Sequence, residues 1–122
     1  MASPLIAIVG VAFKGIPLTG DVRDSSSFKL TSLLPPYFSF NYYDPVVDIN
    51  DPYCAVPMHE NFESTLSSAD VVVVMHNASW ILRCNWKKGL SSVSSNCLFI
   101  DGSGALAEVV YGVESNIKYF SL

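Results

Sequence analysis

Residues 5–11 form an unbroken apolar run, Leu5-Ile6-Ala7-Ile8-Val9-Gly10-Val11, and residues 71–75, Val71-Val72-Val73-Val74-Met75, form a second. Neither alternates with polar residues, and both are rich in β-branched side chains, the pattern of strands covered on both faces in a parallel sheet. Between the two runs the period changes. Asp24 or Ser25 can cap a helix whose apolar stripe is Phe28, Leu30, Leu33 and Leu34, with Pro35-Pro36 ending it. Residues 38–43 predict a strand closed by Asp44-Pro45, because proline cannot continue a central ladder. Pro52 and Pro57, with Asp48, Asn50 and Asp51, make residues 46–57 a loop. A short helix over residues 61–66 leads into the valine strand. Residues 80–90 predict a short helix or turn, residues 97–100 a further strand and residues 117–122 a terminal strand or extended tail; the serines at 91, 92, 94 and 95 make a polar turn.

This alternation predicts an α/β, Rossmann-like three-layer domain, a mostly parallel sheet flanked by helices and joined by right-handed crossovers. Ligands in such sheets sit beyond the carboxyl ends of the strands, where Phe13-Lys14, Asp44, His76-Asn77 and Asp101-Gly102 would gather. The length of 122 residues, with 50% hydrophobic and 15% charged content, predicts one compact domain over residues 1–122.

A net charge of -4 and the lack of any Lys/Arg run argue against nucleic acid or an anionic membrane surface as the main partner. No apolar run approaches the roughly 18 residues of a membrane span. The first strand has neither the basic flank nor the small-residue cleavage site of a secretory signal, so the expected location is cytoplasmic. Cys54, Cys84 and Cys97 are odd in number and lack Cys-x-x-Cys spacing, which predicts buried or half-buried thiols rather than a disulfide framework or a zinc site. The sequon Asn77-Ala78-Ser79 has no secretory context to give it meaning.

The candidate chemistry lies where the first strand ends. A loop with Lys14 and Arg23 runs into the helix start Asp24-Ser25-Ser26, a junction suited to phosphate through helix-start N–H groups and two cations. Gly10 and Gly15 match the outer glycines of a dinucleotide fingerprint, but Ala12 stands where the backbone must approach a pyrophosphate, and Gly15-Ile16-Pro17 is not a P-loop. Lys14 reads either as a ligand contact at the sheet edge or as a solvated charge. Arg23 reads either as a bidentate phosphate contact or as the partner of Asp21 or Asp24. His76 follows the valine strand and is a ligand-edge or a structural histidine; His59 lies in an irregular segment. Asp21, Asp44 and Asp101 read mainly as turn and cap formers. Spacing pairs no Ser-His-acid constellation, and no metal signature occurs.

Four stretches, Gly10-Val11-Ala12-Phe13-Lys14, Asp21-Val22-Arg23-Asp24-Ser25, Tyr43-Asp44-Pro45 and Ala69-Asp70-Val71-Val72, resemble the UDP-binding domain at the C-terminus of the UDP-glucose/GDP-mannose dehydrogenase family. The resemblance spans residues 5–106. It implies that Phe13 and Lys14 contact the nucleotide sugar and that Arg23 reaches across a domain cleft toward NAD. It further implies a parent enzyme of polysaccharide biosynthesis that oxidises the primary alcohol of a UDP-sugar to a carboxylate. That enzyme would bind NAD mainly through an NAD-binding domain and carry its nucleophile in a central helical region, neither of which this sequence contains. The domain would then hold no catalytic residue and be inactive alone. Two features depart from the family pattern: a longer loop, Gly15-Ile16-Pro17-Leu18-Thr19-Gly20, and Ser103 where many relatives carry a substrate-contacting arginine after Asp-Gly. These departures suit a second reading, a stand-alone nucleotide-sugar-binding or regulatory module. A structural subunit of a homo-oligomer is a third.

Overall fold

The computed structural model describes residues 3–12, 25–48, 50–52, 54, 57–113 and 116–121. Five strands, β1 (Leu5–Val9), β2 (Ser39–Tyr43), β3 (Val71–Val74), β4 (Leu98–Asp101) and β5 (Lys118–Ser121), make one sheet in the order β2-β1-β3-β4-β5. Every neighbouring pair is parallel. The helices are α1 (Ser26–Ser32), α2 (Phe62–Leu66), α3 (Ser79–Arg83), α4 (Trp86–Leu90) and α5 (Ala107–Tyr111). The architecture is the Rossmann-like α/β fold that the alternation predicts. Because the chain builds β2 on one side of β1 and then crosses to β3 on the other, the strand order reverses between β1 and β3, where sheets of this order open a ligand crevice.

Burial explains why these segments are strands. Ala7 and Val9 of β1 join Val72, Val74 and Phe99 in one cluster, closed by Phe62, Leu66, Trp80, Trp86, Leu90 and Val110 from α2 to α5. Ile6 and Ile8 point the opposite way, into a cluster with Val73 and Tyr42 that is covered by Phe28, Leu30 and Leu34. The period of two along a strand, with both faces apolar, gives the two cores. Register then aligns the carboxyl ends: Tyr43, Val9, Val74, Asp101 and Ser121 are successive partners on a single rung across all five strands. Asp44, Gly10, Met75 and Gly102 each lie one residue beyond it.

Several expectations change in detail. Leu33 does not join the apolar stripe; it is 82% exposed. Five positions beyond Phe28 on a helix turns a side chain by about 140° away from it, and α1 ends at Ser32, ahead of the prolines. β2 is an edge strand, so a broken central ladder is not what stops it at Pro45. Its outer side is partly covered by a bridge between Tyr42 and Met58 and by the His59 amide donating to the Tyr42 carbonyl at 2.8 Å. Residues 80–90 hold two helices, joined by the buried Trp86 indole donating to the Ile81 carbonyl at 2.7 Å. The sequence reading also leaves out α5, whose signal is the spacing of the buried Leu106 and Val110 and the packed Val109 and Val113. No helix among the described residues is long and apolar enough to cross a membrane.

Candidate functional site

At the switch point Gly10 leaves β1 with φ +98°, and a Cβ there would stand 3.0 Å from Cδ2 and Nε2 of His76. Glycine is required twice, by the left-handed backbone and by the imidazole packed against it. Every polar backbone group from the Gly10 amide to the Ala12 amide is engaged. Gly10 N–H donates to the Tyr43 carbonyl at 2.9 Å. The Val11 and Ala12 amides both donate to Asp44 Oδ2, at 2.9 and 3.0 Å. Ser27 Oγ donates to the Gly10 carbonyl and Ser25 Oγ to the Val11 carbonyl, each at 2.6 Å. The other Asp44 oxygen accepts from the Val46 amide at 3.0 Å.

This arrangement decides what the strand end can bind. In a dinucleotide-binding turn the amides after the first strand are left open for the pyrophosphate. Here an internal carboxylate takes them, so a pyrophosphate at the same place would find its donors occupied and meet a like charge. The residues present do not fit NAD at this strand end. The start of α1 is tied to the same strand end, with Ser26, between two buried serines, left exposed. Ser25, its N-cap, is buried and accepts from the Ser27 amide at 3.2 Å, and Ser27 is buried as well. Ser25 and Ser27 turn inward to hold the strand end.

His76 completes the cluster. Its Nδ1 accepts from the Ala78 amide at 3.3 Å, which assigns the proton of the neutral ring to Nε2. Nε2 lies 3.5 Å from Asp44 Oδ2, longer than a good hydrogen bond, and has no closer partner among the described residues. The ring meets Trp80 edge to face at 5.9 Å. Burial by itself pushes the Asp44 carboxyl up, but the His76 ring and the Ala12, Val11 and Val46 amides together more than offset it and hold the group below the usual carboxylate range.

A second buried carboxylate organises the turn after β4. Asp101 Oδ1 accepts from the Ser103 amide at 2.9 Å, the Ser103 hydroxyl and the Gly104 amide at 3.2 Å. Oδ2 accepts from the Leu106 amide at 2.9 Å and the Tyr119 hydroxyl at 2.6 Å. The single proton of Ser103 is thus spent inside the turn, and its oxygen accepts from the Ala105 amide at 3.2 Å. Burial again raises the carboxyl, and the Ser103 and Tyr119 hydroxyls with the Leu106 and Ser103 amides win, leaving Asp101 lowered.

Both depressed carboxyls carry the same sign. Each contributes stability that is complete above the unfolded aspartate pKa of about 3.9 and is lost as pH falls through the folded-state value. Urea midpoints measured downward from about pH 5 should therefore fall more steeply in the wild type than in Asp101→Asn. Parallel curves would remove Asp101 from the acid response.

Phe13, Lys14 and Arg23, the residues read from the sequence as nucleotide-sugar and NAD contacts, lie outside the described residues, as does Asp21. The structure brings Gly10 to Ala12, Asp44 and His76 into one cluster. Gly102 lies two strands over from Gly10, its amide donating to the Val74 carbonyl at 2.8 Å. His59 stands apart, with Nδ1 3.4 Å from Ser64 Oγ. Cys97 is buried and Cys54 and Cys84 are half-buried. Burial pushes the Cys84 and Cys97 thiols up to about 11, so neither is a thiolate nucleophile at neutral pH. No group of three or more metal-ligating side chains occurs among the described residues. A cavity of about 650 Å³ beside Lys87, Ser94 and Val113 adjoins the loops that enter β4 and β5, at the sheet's opposite edge. Sequence reasoning missed the buried roles of Asp44, Ser25 and Ser27. The available signal was an aspartate at the carboxyl end of two strands, in Tyr43-Asp44 and Ile100-Asp101.

The fold recurs in solved enzymes. A UDP-D-ManNAc dehydrogenase from Pyrococcus horikoshii superposes with a TM-score of 0.72 at 23% identity, over 97% of this chain and 25% of the other. An NDP-N-acetyl-D-galactosaminuronic acid dehydrogenase from Methanosarcina mazei Go1 gives 0.75 at 24% identity, over 98% and 24%. The UDP-N-acetyl-mannosamine dehydrogenase Cap5O from Staphylococcus aureus gives 0.66 at 17% identity, over 99% and 26%. The chain therefore spans about a quarter of the length of these structures. No curated protein matches it in direct sequence comparison. The sequence model of the UDP-glucose/GDP-mannose dehydrogenase family, UDP binding domain, matches residues 7–108, and with that match over most of its length the chain belongs to this family as its UDP-binding domain.

Proposed function

We propose that residues 1–122 act as the nucleotide-sugar-binding domain of an NAD-dependent UDP-sugar dehydrogenase. In the full enzyme the primary alcohol of the sugar is oxidised to a carboxylate, in the cytoplasm, for polysaccharide biosynthesis. Phe13 and Lys14 contact the UDP-sugar, Arg23 reaches NAD held mainly by a separate domain, and this domain alone does not catalyse the oxidation. NAD supplies the hydride acceptor; this chain supplies binding and orientation of the sugar nucleotide. The observation that carries the reading is the family match over residues 7–108, which includes Phe13, Lys14 and Arg23. Two features are consistent with it. The locked Gly10 to Ala12 segment at the switch point immediately precedes Phe13 and Lys14 in sequence, and the amides that a dinucleotide would need there are already taken.

Calorimetric titration of the domain with UDP tests the reading. One wall of an interdomain cleft gives weak but measurable affinity. Lys14→Ala should lower that affinity about tenfold or more, the scale of one lost charge-assisted bond. Arg23→Ala should leave UDP binding unchanged. Equal affinity in the wild type and Lys14→Ala removes Lys14 from the site, and no UDP binding by the wild type removes the function.

A further inference from the structure

We propose that Asp44, backed by Ser27, is a positioning clamp for the segment that meets the nucleotide sugar. The inference rests on the reading just given and deepens it. Asp44 Oδ2 holds the Val11 and Ala12 amides, 33 and 32 residues away along the chain, while Ser27 Oγ holds the Gly10 carbonyl. The clamp joins the end of β2 and the start of α1 to the end of β1, immediately before Phe13 and Lys14 in sequence.

The carboxylate stands in for a bound anion. Its side chain has no exposed surface, so its charge has been taken out of water, a penalty that is recovered only through well-placed donors. The donors it collects are the amides that a ligand phosphate would otherwise use. Two consequences follow for binding. The strand end is organised before any ligand arrives, so no ordering cost for Gly10 to Ala12 falls on the binding step. The phosphates must also be met by groups other than these amides, because a second anion on them would face Asp44 directly. Lys14 is the first cation in sequence after these amides, which agrees with the contact to the nucleotide sugar proposed for it above.

The test compares the wild-type domain with Asp44→Asn, which is nearly the same size but sets an NH2 group against either the Val46 amide or the Val11 and Ala12 amides. Two readouts are taken on each protein: UDP affinity by calorimetry and amide hydrogen exchange by NMR. The expected result is exchange at least tenfold faster at Val11 and Ala12, unchanged protection at Val73 in β3, and UDP affinity lowered about tenfold. A merely structural role would lower protection at Val73 together with the strand end. Uniform loss of protection, or wild-type UDP affinity despite freed Val11 and Ala12 amides, overturns the proposal. Should Asp44→Asn fail to fold, Ser27→Ala, which removes a clamp without touching a charge, decides the matter by the same two readouts. Wild-type affinity in Ser27→Ala then overturns it. Absence of UDP binding by the wild type would instead overturn the function proposed above, and the two failures are read from different samples.

Discussion

Asp101→Ala is expected to destabilise the domain by about 3–5 kcal/mol, the cost of leaving several buried donors without their acceptor. The carboxylate has no exposed surface and accepts from three backbone amides and two hydroxyls. Alanine leaves the buried Leu106 amide without its acceptor and takes from the Tyr119 hydroxyl its tie between β4 and β5. Each buried donor left unpaired costs on the order of 1–3 kcal/mol, so the loss comes from several modest terms acting together. Against a total stability of about 5–15 kcal/mol the variant would be marginal. Urea denaturation followed by fluorescence of the buried Trp80 and Trp86 measures it. A loss below about 1 kcal/mol would mean that water replaces the carboxylate without penalty.

Gly102→Ala should be nearly as damaging, for a steric reason. A Cβ at Gly102 would press into the carbonyl oxygen of Val74, closer than carbon and oxygen can approach. The obstacle is backbone, not the movable tip of a side chain, and it is the same carbonyl that accepts the Gly102 amide at 2.8 Å. The β3–β4 junction must open at the carboxyl edge of the sheet, or the turn organised by Asp101 must shift. Overpacking of this kind costs about 3 kcal/mol, which for a domain of this size lowers the melting temperature by roughly 10–15 °C. A melting temperature within about 3 °C of wild type would show that the turn relaxes freely.

These two predictions concern a turn whose importance was only partly legible. From sequence Asp101 reads mainly as a turn and cap former, and Ser103 as a residue that can donate a hydrogen bond but carries no charge. In the folded chain Asp101 is the centre of the turn and the Ser103 proton is committed to it. Ser103 therefore has no hydroxyl proton left to donate outward.

What the sequence by itself determined is the part set by local pattern and composition. The β-branched apolar runs at residues 5–11 and 71–75 carried the signal of strands covered on both faces, now β1 and β3, and their alternation with helical segments pointed to a parallel sheet. Ala12 in place of a glycine argued against a dinucleotide turn by sequence alone, and the motifs around Lys14 and Tyr43-Asp44-Pro45 carried the family. The tertiary structure decided which donors remain open. Asp44 reaches Val11 and Ala12, and Tyr119 reaches Asp101, only because register sets the ends of β2, β1, β4 and β5 on one rung. The inward cap of α1, the seating of His76 against Gly10 and the strand order depend on the same assembly. Hydrophobic period is written in neighbouring residues, whereas the partner of a buried carboxylate is chosen by chain segments that meet only after the sheet has formed.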